Sequence, residues 1–431
     1  MIIVDTALKQ RESEGRPIQV GIVGAGYMGR GMALTIEKSI PGMRVAAIYN
    51  RTPETARQAL EQCGVEDIAE AKSAADVEAA VEAGRYVFCD DVGHLCQAGN
   101  IDAIVEATGE VEFGAQVTMD AIENGKHVIL MNAELDAVIG PILKNYADRA
   151  GVVITNVDGD QPGVIMNLFR WVDTIGYQPV LAGNIKGLQD HYRNPETQRG
   201  FAEKHRQKPK MITSFADGTK ISMEMAVVAN ATGFGVSVRG MKGPTCTHVT
   251  EAIDCFTEDD LTRGGIVDFI LGAEPGPGVF VIGYNEEPVL RQYANYLKMG
   301  DGPYYTFYVP YHLPHLESPL TVARAVLFND AAITPKGAPV AEVLAAAKTD
   351  VKAGEIIDGI GGFHCYGLVD NVDIARGEDA VPMSLIEGCK LQRDVARDDI
   401  ISYGDVRFPE GRVCDRLRKE QDRKFFGSKR A

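Results

Sequence analysis

The chain has no stretch of about 18 consecutive apolar residues, so nothing in its 431 residues reads as a membrane-spanning helix. Its first residues also lack the basic, then apolar, then small-residue pattern of a secretory signal. A cytoplasmic protein without a membrane partner is the expectation. Cysteine is sparse, with eight residues, no CxxC pair and no zinc-knuckle spacing, which points to reduced, buried thiols. The segment Cys89-Asp90-Asp91-Val92-Gly93-His94-Leu95-Cys96 has no second ligand cluster near it in sequence and reads as structural. Basic charge is in deficit: 44 Lys and Arg against 60 Asp and Glu give a net charge of −16. Such a field repels a polyphosphate backbone and excludes nucleic acid as an expected partner. Internal repeats and low-complexity segments are absent as well. What remains is an ordinary globular composition, 45% hydrophobic and 24% charged, in a chain long enough for about three compact units.

Residues 1–17 read as a polar, charged arm packed on the outside or on a partner subunit. From residue 18 to 157, short β-branched runs alternate with alanine-rich segments of helical period. Ile18–Val23, Arg44–Ile48, Ala103–Glu106, His127–Leu130 and Val152–Asn156 read as strands, and Ala56–Gln62, Ala74–Ala83 and Ala115–Asn124 as helices. This alternation predicts a parallel sheet covered on both faces. Residues 158–330 differ: a helix over Val164–Ile175, a strand over Val180–Lys186, a polar loop or lid over 190–212, and a helix over Ile221–Ala231. Strands over Val279–Gly283 and Tyr304–Tyr311 follow, and a helix over Pro319–Phe328 returns to the first unit. Residues 331–431 break into short β pieces separated by turns, with a basic tail beyond Phe408 read as a solvated helix or subunit contact.

Gly24-Ala25-Gly26-Tyr27-Met28-Gly29 closes the first strand and opens a helix over Gly31–Ser39. One glycine permits the tight turn, one lets the backbone approach a pyrophosphate, and one allows close packing of helix on strand. The helix N-terminus then faces the anion. The second strand ends in Asn50-Arg51-Thr52, where an acid would hold the adenosine ribose hydroxyls of NAD; Arg51 instead offers a fork of donors for a 2′-phosphate. NADP(H) is favoured over NAD(H). Thr108-Gly109, and Asn132 with Glu134, end strands at the same sheet edge and are placed at the nicotinamide end. A helix cap with a first-turn acid also accounts for Asn132 and Glu134.

These motifs, followed by Asp158-Gly159-Asp160-Gln161-Pro162-Gly163 and Gly183-Asn184-Ile185-Lys186-Gly187, resemble the homoserine dehydrogenase superfamily. The C-terminal hundred residues resemble a SAF domain, a small β-clip. The combination is similar to the SAF-domain dehydrogenases, with the 1-deoxy-D-xylulose 5-phosphate reductoisomerase-like enzymes as their best-known branch. The resemblance implies an α/β chain with a doubly wound Rossmann sheet, an α+β substrate and oligomerisation domain and a β-rich SAF-like domain, assembled as a homo-oligomer. Homoserine dehydrogenases carry an Asn-Lys pair where this chain has Asn132-Ala133-Glu134, so the lysine is missing here. Asp217-Gly218-Thr219-Lys220 is similar to their Asp and Lys at a helix start, with one residue fewer between them.

Hydride delivery to a carbonyl leaves negative charge on oxygen, which calls for a proton donor or a fixed cation. Lys186 and Lys220 are the candidates, with Asp217 raising the affinity of Lys220 for its proton while the helix dipole lowers it. Glu134, Asp160, Asn184, Asp190, His191 and Arg193 are the candidate substrate ligands. Arg193, Arg199, Lys204, Lys208 and Lys210 place positive charge in the suspected lid, suited to a phosphate or carboxylate. Asp158, Asp160 and Glu134 form a candidate set for a divalent metal, which an α-ketol rearrangement would use. The expectation is an NADP-dependent oxidoreductase acting on a small anionic hydroxy or keto compound. A reductoisomerase-like action on a sugar phosphate ranks ahead of a polyol or hydroxy-acid dehydrogenase, and a non-catalytic NADP-sensing or carbohydrate-binding protein is the alternative from another class.

Overall fold

The computed structural model describes residues 3–427; residues 1, 2 and 428–431 of the arm and tail lie outside them. Seven strands build one parallel sheet: β1 (Ile18–Val23), β2 (Met43–Tyr49), β3 (Ile68–Ala71), β4 (Tyr86–Cys89), β5 (Ala103–Glu106), β6 (His127–Leu130) and β7 (Ile154–Asn156). Their spatial order is β3-β4-β2-β1-β5-β6-β7. Helices α1 (Val4–Ser13), α2 (Tyr27–Ser39), α3 (Pro53–Gln62), α4 (Ala74–Glu82), α5 (Val92–Gln97), α6 (Val111–Glu123) and α7 (Ala133–Ala150) accompany them. The doubly wound Rossmann sheet read from the pattern is thus the observed fold. Strand β1 pairs with β2 on one side and β5 on the other. The chain reverses direction across the sheet at that point, which opens a crevice beyond the carboxyl ends of β1 and β5.

Two strands of this sheet escaped the sequence reading. Strand β3 (Ile-Ala-Glu-Ala) lies at the sheet edge, half exposed and interrupted by an acid, and β4 beside it is a run of only four residues, Tyr-Val-Phe-Cys. The expected arm is a helix instead: α1 buries Val4 and Leu8, and the Leu8 carbonyl sits so close to Gly42 that a Cβ there would lie 2.0 Å from it.

The second unit is a mixed sheet of β8 (Gln178–Lys186), β9 (Ile266–Leu271), β10 (Val279–Tyr284) and β11 (Tyr304–Val309), in the order β11-β10-β8-β9. One face packs on α8 (Gln161–Thr174) and α11 (Thr219–Thr232). The other packs on the segment holding α12 (Ala252–Cys255) and α13 (Glu258–Thr262). Helix α14 (Pro288–Tyr296) follows β10. Helix α15 (Pro314–Phe328) crosses back onto α2 and buries Val322, Ala323 and Ala325 in the Rossmann core.

The polar stretch 190–212 is not a free lid. It contains α9 (Arg199–Lys204) and the start of α10 (Pro209–Ala216), and it is docked on the C-terminal unit. Tyr192 donates to Asp398, Lys210 pairs with Glu387 at 3.2 Å, and Gly361 faces the Lys210 carbonyl with no room for a Cβ. That unit comprises β12 (Ala341–Ala347) antiparallel to β13 (Cys365–Asn371), helix α16 (Val372–Gly377), and the short pair β14 (Lys390–Leu391) with β15 (Val406–Arg407). The basic tail is not solvated either: α17 (Val413–Phe426) lies on α6 and α7. Cys414, Leu417, Arg418 and Gln421, spaced three and four apart, form its buried face, where Arg418 pairs with Glu342. No helix among the described residues is long and apolar enough to cross a membrane.

Candidate functional site

The dinucleotide loop has the backbone its glycines were read to require. Gly24 adopts φ +106° and approaches Ala107 so closely that a Cβ would sit 2.9 Å from its carbonyl oxygen. Gly29 packs on Gly24, where a Cβ would fall 1.9 Å from the carbonyl oxygen, whereas Gly26 faces open space. Gly26 caps α2 without a side-chain bond. This is a cradle a phosphate fits. Asn50 braces it: the Ala25 amide donates to Asn50 Oδ1 at 3.1 Å, and Asn50 Nδ2 donates to the Thr52 carbonyl at 3.1 Å. Arg51 beside it is exposed and makes no hydrogen bond or ion pair among the described residues. Tyr27 is exposed at the mouth of the loop and Met28 is half-buried behind it.

At the end of β5, Glu106 is fully buried and accepts from the Thr108 amide at 2.8 Å, the Thr108 hydroxyl and Asn132 Nδ2 at 2.7 Å. Burial nevertheless pushes its carboxyl above the usual range. Asn132 is buried, caps α7 by accepting from the Leu135 amide at 3.1 Å, and also donates to the Glu110 carbonyl. Its side chain is therefore spent on holding the loop Thr108-Gly109, and the reading of Asn132 as a direct coenzyme ligand gives way to this supporting role.

The chemistry gathers where four elements meet. Lys186 ends β8 and donates to Gln161 at the first position of α8 and to Glu224 of α11 at 3.1 Å. Asn184, buried on the same strand, donates to Glu224 at 2.9 Å and to Gln161 at 3.2 Å. One turn before Glu224 on α11, Lys220 donates to Glu134 in the first turn of α7 at 3.0 Å. Burial pulls the Lys220 ammonium toward neutrality, but Glu134, Asp160 and Glu224 outweigh it and hold its proton above the ordinary lysine range. This differs from the expectation, since Asp217 plays no part. Glu224 is raised by burial and by Asp160, against the opposing pull of Lys186, Lys220 and His312. Glu224, Gln161, Glu106 and His312 were not singled out from the sequence. Only Glu224, four residues after Lys220 on one helix, carried a legible signal.

The remaining candidates lie against the C-terminal unit. Asp217 is fully buried, accepts from the Thr219 amide, and pairs with Lys348 at 2.9 Å. The same ammonium donates to the carbonyls of Arg193 and Gly362, each at 2.8 Å. Arg193 itself is tied to Asp190 at 3.0 Å. His191 stacks on Tyr366 with centroids 4.6 Å apart, and its Nδ1 lies 2.8 Å from the Asp217 carbonyl oxygen. Asp217 is thus a buried structural anion and not a partner of Lys220. Asp158 is likewise committed, accepting from Arg324, Asn167 and Thr321. Among the described residues no group of three or more His, Cys, Asp or Glu side chains is placed to hold a metal ion. The donor set does not fit the divalent ion considered for Asp158, Asp160 and Glu134.

Residues 18–130 match the model of the oxidoreductase family with an NAD-binding Rossmann fold, and residues 159–318 match the catalytic domain of oxidoreductase DRL. The chain thus carries an NAD-binding Rossmann domain of the oxidoreductase type, followed by a segment similar to the catalytic domain of oxidoreductase DRL. Over 139 residues this chain is 28% identical to homoserine dehydrogenase of Pseudomonas aeruginosa, covering 32% of this chain and 28% of that one. Over 147 residues it is 24% identical to that of Neisseria gonorrhoeae, with the same two shares, 32% and 28%. It therefore spans little more than a quarter of the length of these curated relatives. Among solved structures it aligns with myo-inositol dehydrogenase from Lactobacillus casei in complex with NAD(H) and myo-inositol, at TM-score 0.38 and 14% identity, over 68% of this chain and 74% of that one. A probable dehydrogenase from Thermotoga maritima aligns at TM-score 0.38 and 13% identity, over 62% and 73% of the respective chains.

Proposed function

We propose that the protein transfers a hydride between NADP(H) and a CH–OH or carbonyl carbon of a small hydroxy or keto compound, with the reacting oxygen held by Lys186 and Lys220. The observation that carries this reading is the convergence of the two ammonium groups on one cluster with Gln161, Glu134 and Glu224. The nicotinamide ring, when bound, is the source or acceptor of the hydride. Lys220 is held protonated, so it offers a fixed positive charge to an oxygen that gains electron density. Lys186 is oriented by Gln161 and Glu224, and Asn184 fixes those two partners in turn. Fixed donors of this kind need no rearrangement as charge develops.

The preference for the phosphorylated coenzyme rests on Arg51, exposed and unpaired beside an Asn50 that stands where an acid would bind ribose hydroxyls. Arg51→Ala should weaken NADPH much more than NADH in a fluorescence titration; equal weakening removes that role. For the substrate, the cluster sets three carboxylates, Glu134, Asp160 and Glu224, against two ammonium groups. Both cations are already neutralised, which supports a substrate presenting hydroxyl and carbonyl oxygens over one bringing a phosphate or carboxylate. Steady-state rates across polyols, hydroxy acids and phosphorylated ketoses test this: turnover confined to phosphorylated ketoses overturns it in favour of the reductoisomerase-like reading. The C-terminal unit, read as SAF-like, serves here as the support of Asp217 and of the 190–212 segment through Lys348. A homo-oligomer accords with α14, which exposes Val289, Tyr293 and Tyr296; sedimentation measures it.

A further inference from the structure

Helix α17 and the chain around Tyr403 and Phe408 enclose a cleft of about 1070 Å³. Small-molecule sites typically occupy roughly 300–1,000 Å³, so the cleft has room for a ligand with a ring and several charged groups. None of its lining residues belongs to the dinucleotide loop or to the lysine cluster. Hydrogen bonds fix its walls. Arg412 donates to the carbonyls of Leu385 at 2.8 Å and Glu387 at 2.9 Å, and Glu112 of α6 accepts from the amides of Val413 and Cys414, each at 3.0 Å. Further along α17, Gln421 donates to the Val138 carbonyl of α7 at 3.0 Å and accepts from the Ile142 amide at 3.1 Å. The cleft is thus built into the fold and is not a gap between loose segments.

The charges that line it do not balance. Asp415 accepts from Arg412 through both oxygens at 2.8 Å, Glu420 accepts from the Tyr146 hydroxyl at 2.9 Å, and Asp422 pairs with Arg376 at 3.2 Å. These acids are committed, whereas the exposed cations are not: the side chains of Arg416, Lys419 and Arg423 make no hydrogen bond or ion pair among the described residues. Spaced three and four apart, the three share one face of α17 and span roughly 10 Å at 1.5 Å per residue. In a chain of net charge −16 they are a local concentration of unspent positive charge. Arg418, 2% exposed, also reaches the cleft. Its terminal nitrogens donate to Val138 and Glu342, while its Nε has Asp422 at 3.3 Å and no acceptor in hydrogen-bond geometry among the described residues. Leu385, Tyr403, Phe408 and Pro409 supply the apolar part of the lining, with the two rings stacked at 5.4 Å between centroids.

An occupant must bring several anionic oxygens over that span together with a flat apolar body. A single carboxylate satisfies only one of the cations. Phosphate matches the planar donor fork of arginine, and aromatic side chains favour a flat heterocycle. We propose that the cleft binds a nucleoside diphosphate, its phosphates on Arg416, Lys419 and Arg423 and its base against Tyr403 and Phe408, at a site separate from the coenzyme cradle. The assignment goes beyond the oxidoreductase reading above and does not depend on it.

The test is calorimetric titration of ADP into the full chain at low ionic strength, with NADPH in excess to fill the dinucleotide loop. Wild type is set beside a chain carrying both Arg416→Ala and Lys419→Ala. Because both residues are exposed, the variant should keep the wild-type melting temperature and NADPH affinity, while its affinity for ADP falls at least about 10-fold. Pyrophosphate should compete with ADP but bind more weakly, and adenosine should give no heat. Absence of ADP binding to wild type overturns the proposal, and so does equal affinity in wild type and variant, which places ADP elsewhere. Citrate binding more tightly than ADP overturns the choice of phosphate, and pyrophosphate binding as tightly as ADP overturns the role of the rings. Should NADPH itself fail to bind, the reading of function fails, and the difference in ADP affinity between wild type and variant still decides the cleft.

Discussion

Lys220 donates to Glu134 across 3.0 Å, joining the first turn of α11 to the first turn of α7. The two helix starts treat their charges oppositely: a carboxylate is favoured by the dipole and an ammonium is not. Lys220 therefore depends on its carboxylate neighbours to stay protonated. Because its proton is held more firmly in the fold than in the unfolded chain, the pair's stabilisation is complete at neutral pH. It is lost only as the pH rises beyond the ordinary lysine range. Glu134→Gln keeps an acceptor but removes the charge. The alkaline limb of the rate profile should move down by roughly one to three pH units, as measured by initial rates at saturating coenzyme.

Lys348 spends its ammonium on Asp217 and on two carbonyls, 131 residues away in the chain from its ionic partner. Lys348→Met leaves Asp217 buried and unpaired, which should cost about 3–5 kcal/mol of stability in urea unfolding. Adding Asp217→Asn to that variant should recover part of the loss, because the uncompensated charge is gone. Coenzyme affinity should stay near wild type in both, which separates this pair from the Lys186 and Lys220 cluster.

Asp136 lies buried in α7 with Asn156 as its hydrogen-bonding partner, and burial raises its carboxyl from 3.8 to about 7. The fold thus binds this proton more tightly than the unfolded chain does. Its contribution is complete below the ordinary carboxyl range and is lost progressively as the pH rises toward about 7. Asp136→Asn removes the dependence. Denaturation curves should show the variant close to wild type near acidic pH and more stable at pH 8, by on the order of 4 kcal/mol.

Gly29 has its Cβ position 1.9 Å from the Gly24 carbonyl oxygen, whereas Gly26 faces open space. Gly29→Ala should therefore lower thermal stability and coenzyme affinity together. Gly26→Ala should spare stability and weaken the coenzyme, because the added methyl stands where the pyrophosphate approaches. Thermal melts with and without NADPH distinguish the two.

What could be read from the sequence was local. The loop Gly24 to Gly29 declared itself because each glycine answers a backbone constraint set within a few residues. Lys186 and Lys220 were visible as cations at the ends of a strand and the start of a helix. The pairing was not, because Gln161 and Glu224 reach Lys186, and Glu134 reaches Lys220, from other elements. Asp217 was misjudged because nearness in sequence to Lys220 was taken for nearness in space. Gly218 intervenes in a left-handed conformation, φ +89°, and Asp217 binds the Thr219 amide and Lys348 instead. The tail beyond Phe408 hid its buried face in a basic composition: Arg418 reads as solvated in sequence, yet it lies against α7 with Glu342 as its counter-ion. Strand β3 was hidden by Glu70 in its middle and its place at the sheet edge, where no apolar run is required.

The central claim is that Lys186 and Lys220 act on the reacting oxygen and not on coenzyme capture. The most direct measurement is turnover by Lys186→Met and Lys220→Met, set beside NADPH titrations of the same preparations. The account predicts a fall in kcat of roughly 10²-fold or more for at least one of them, with coenzyme affinity unchanged. Wild-type turnover in both variants would contradict it.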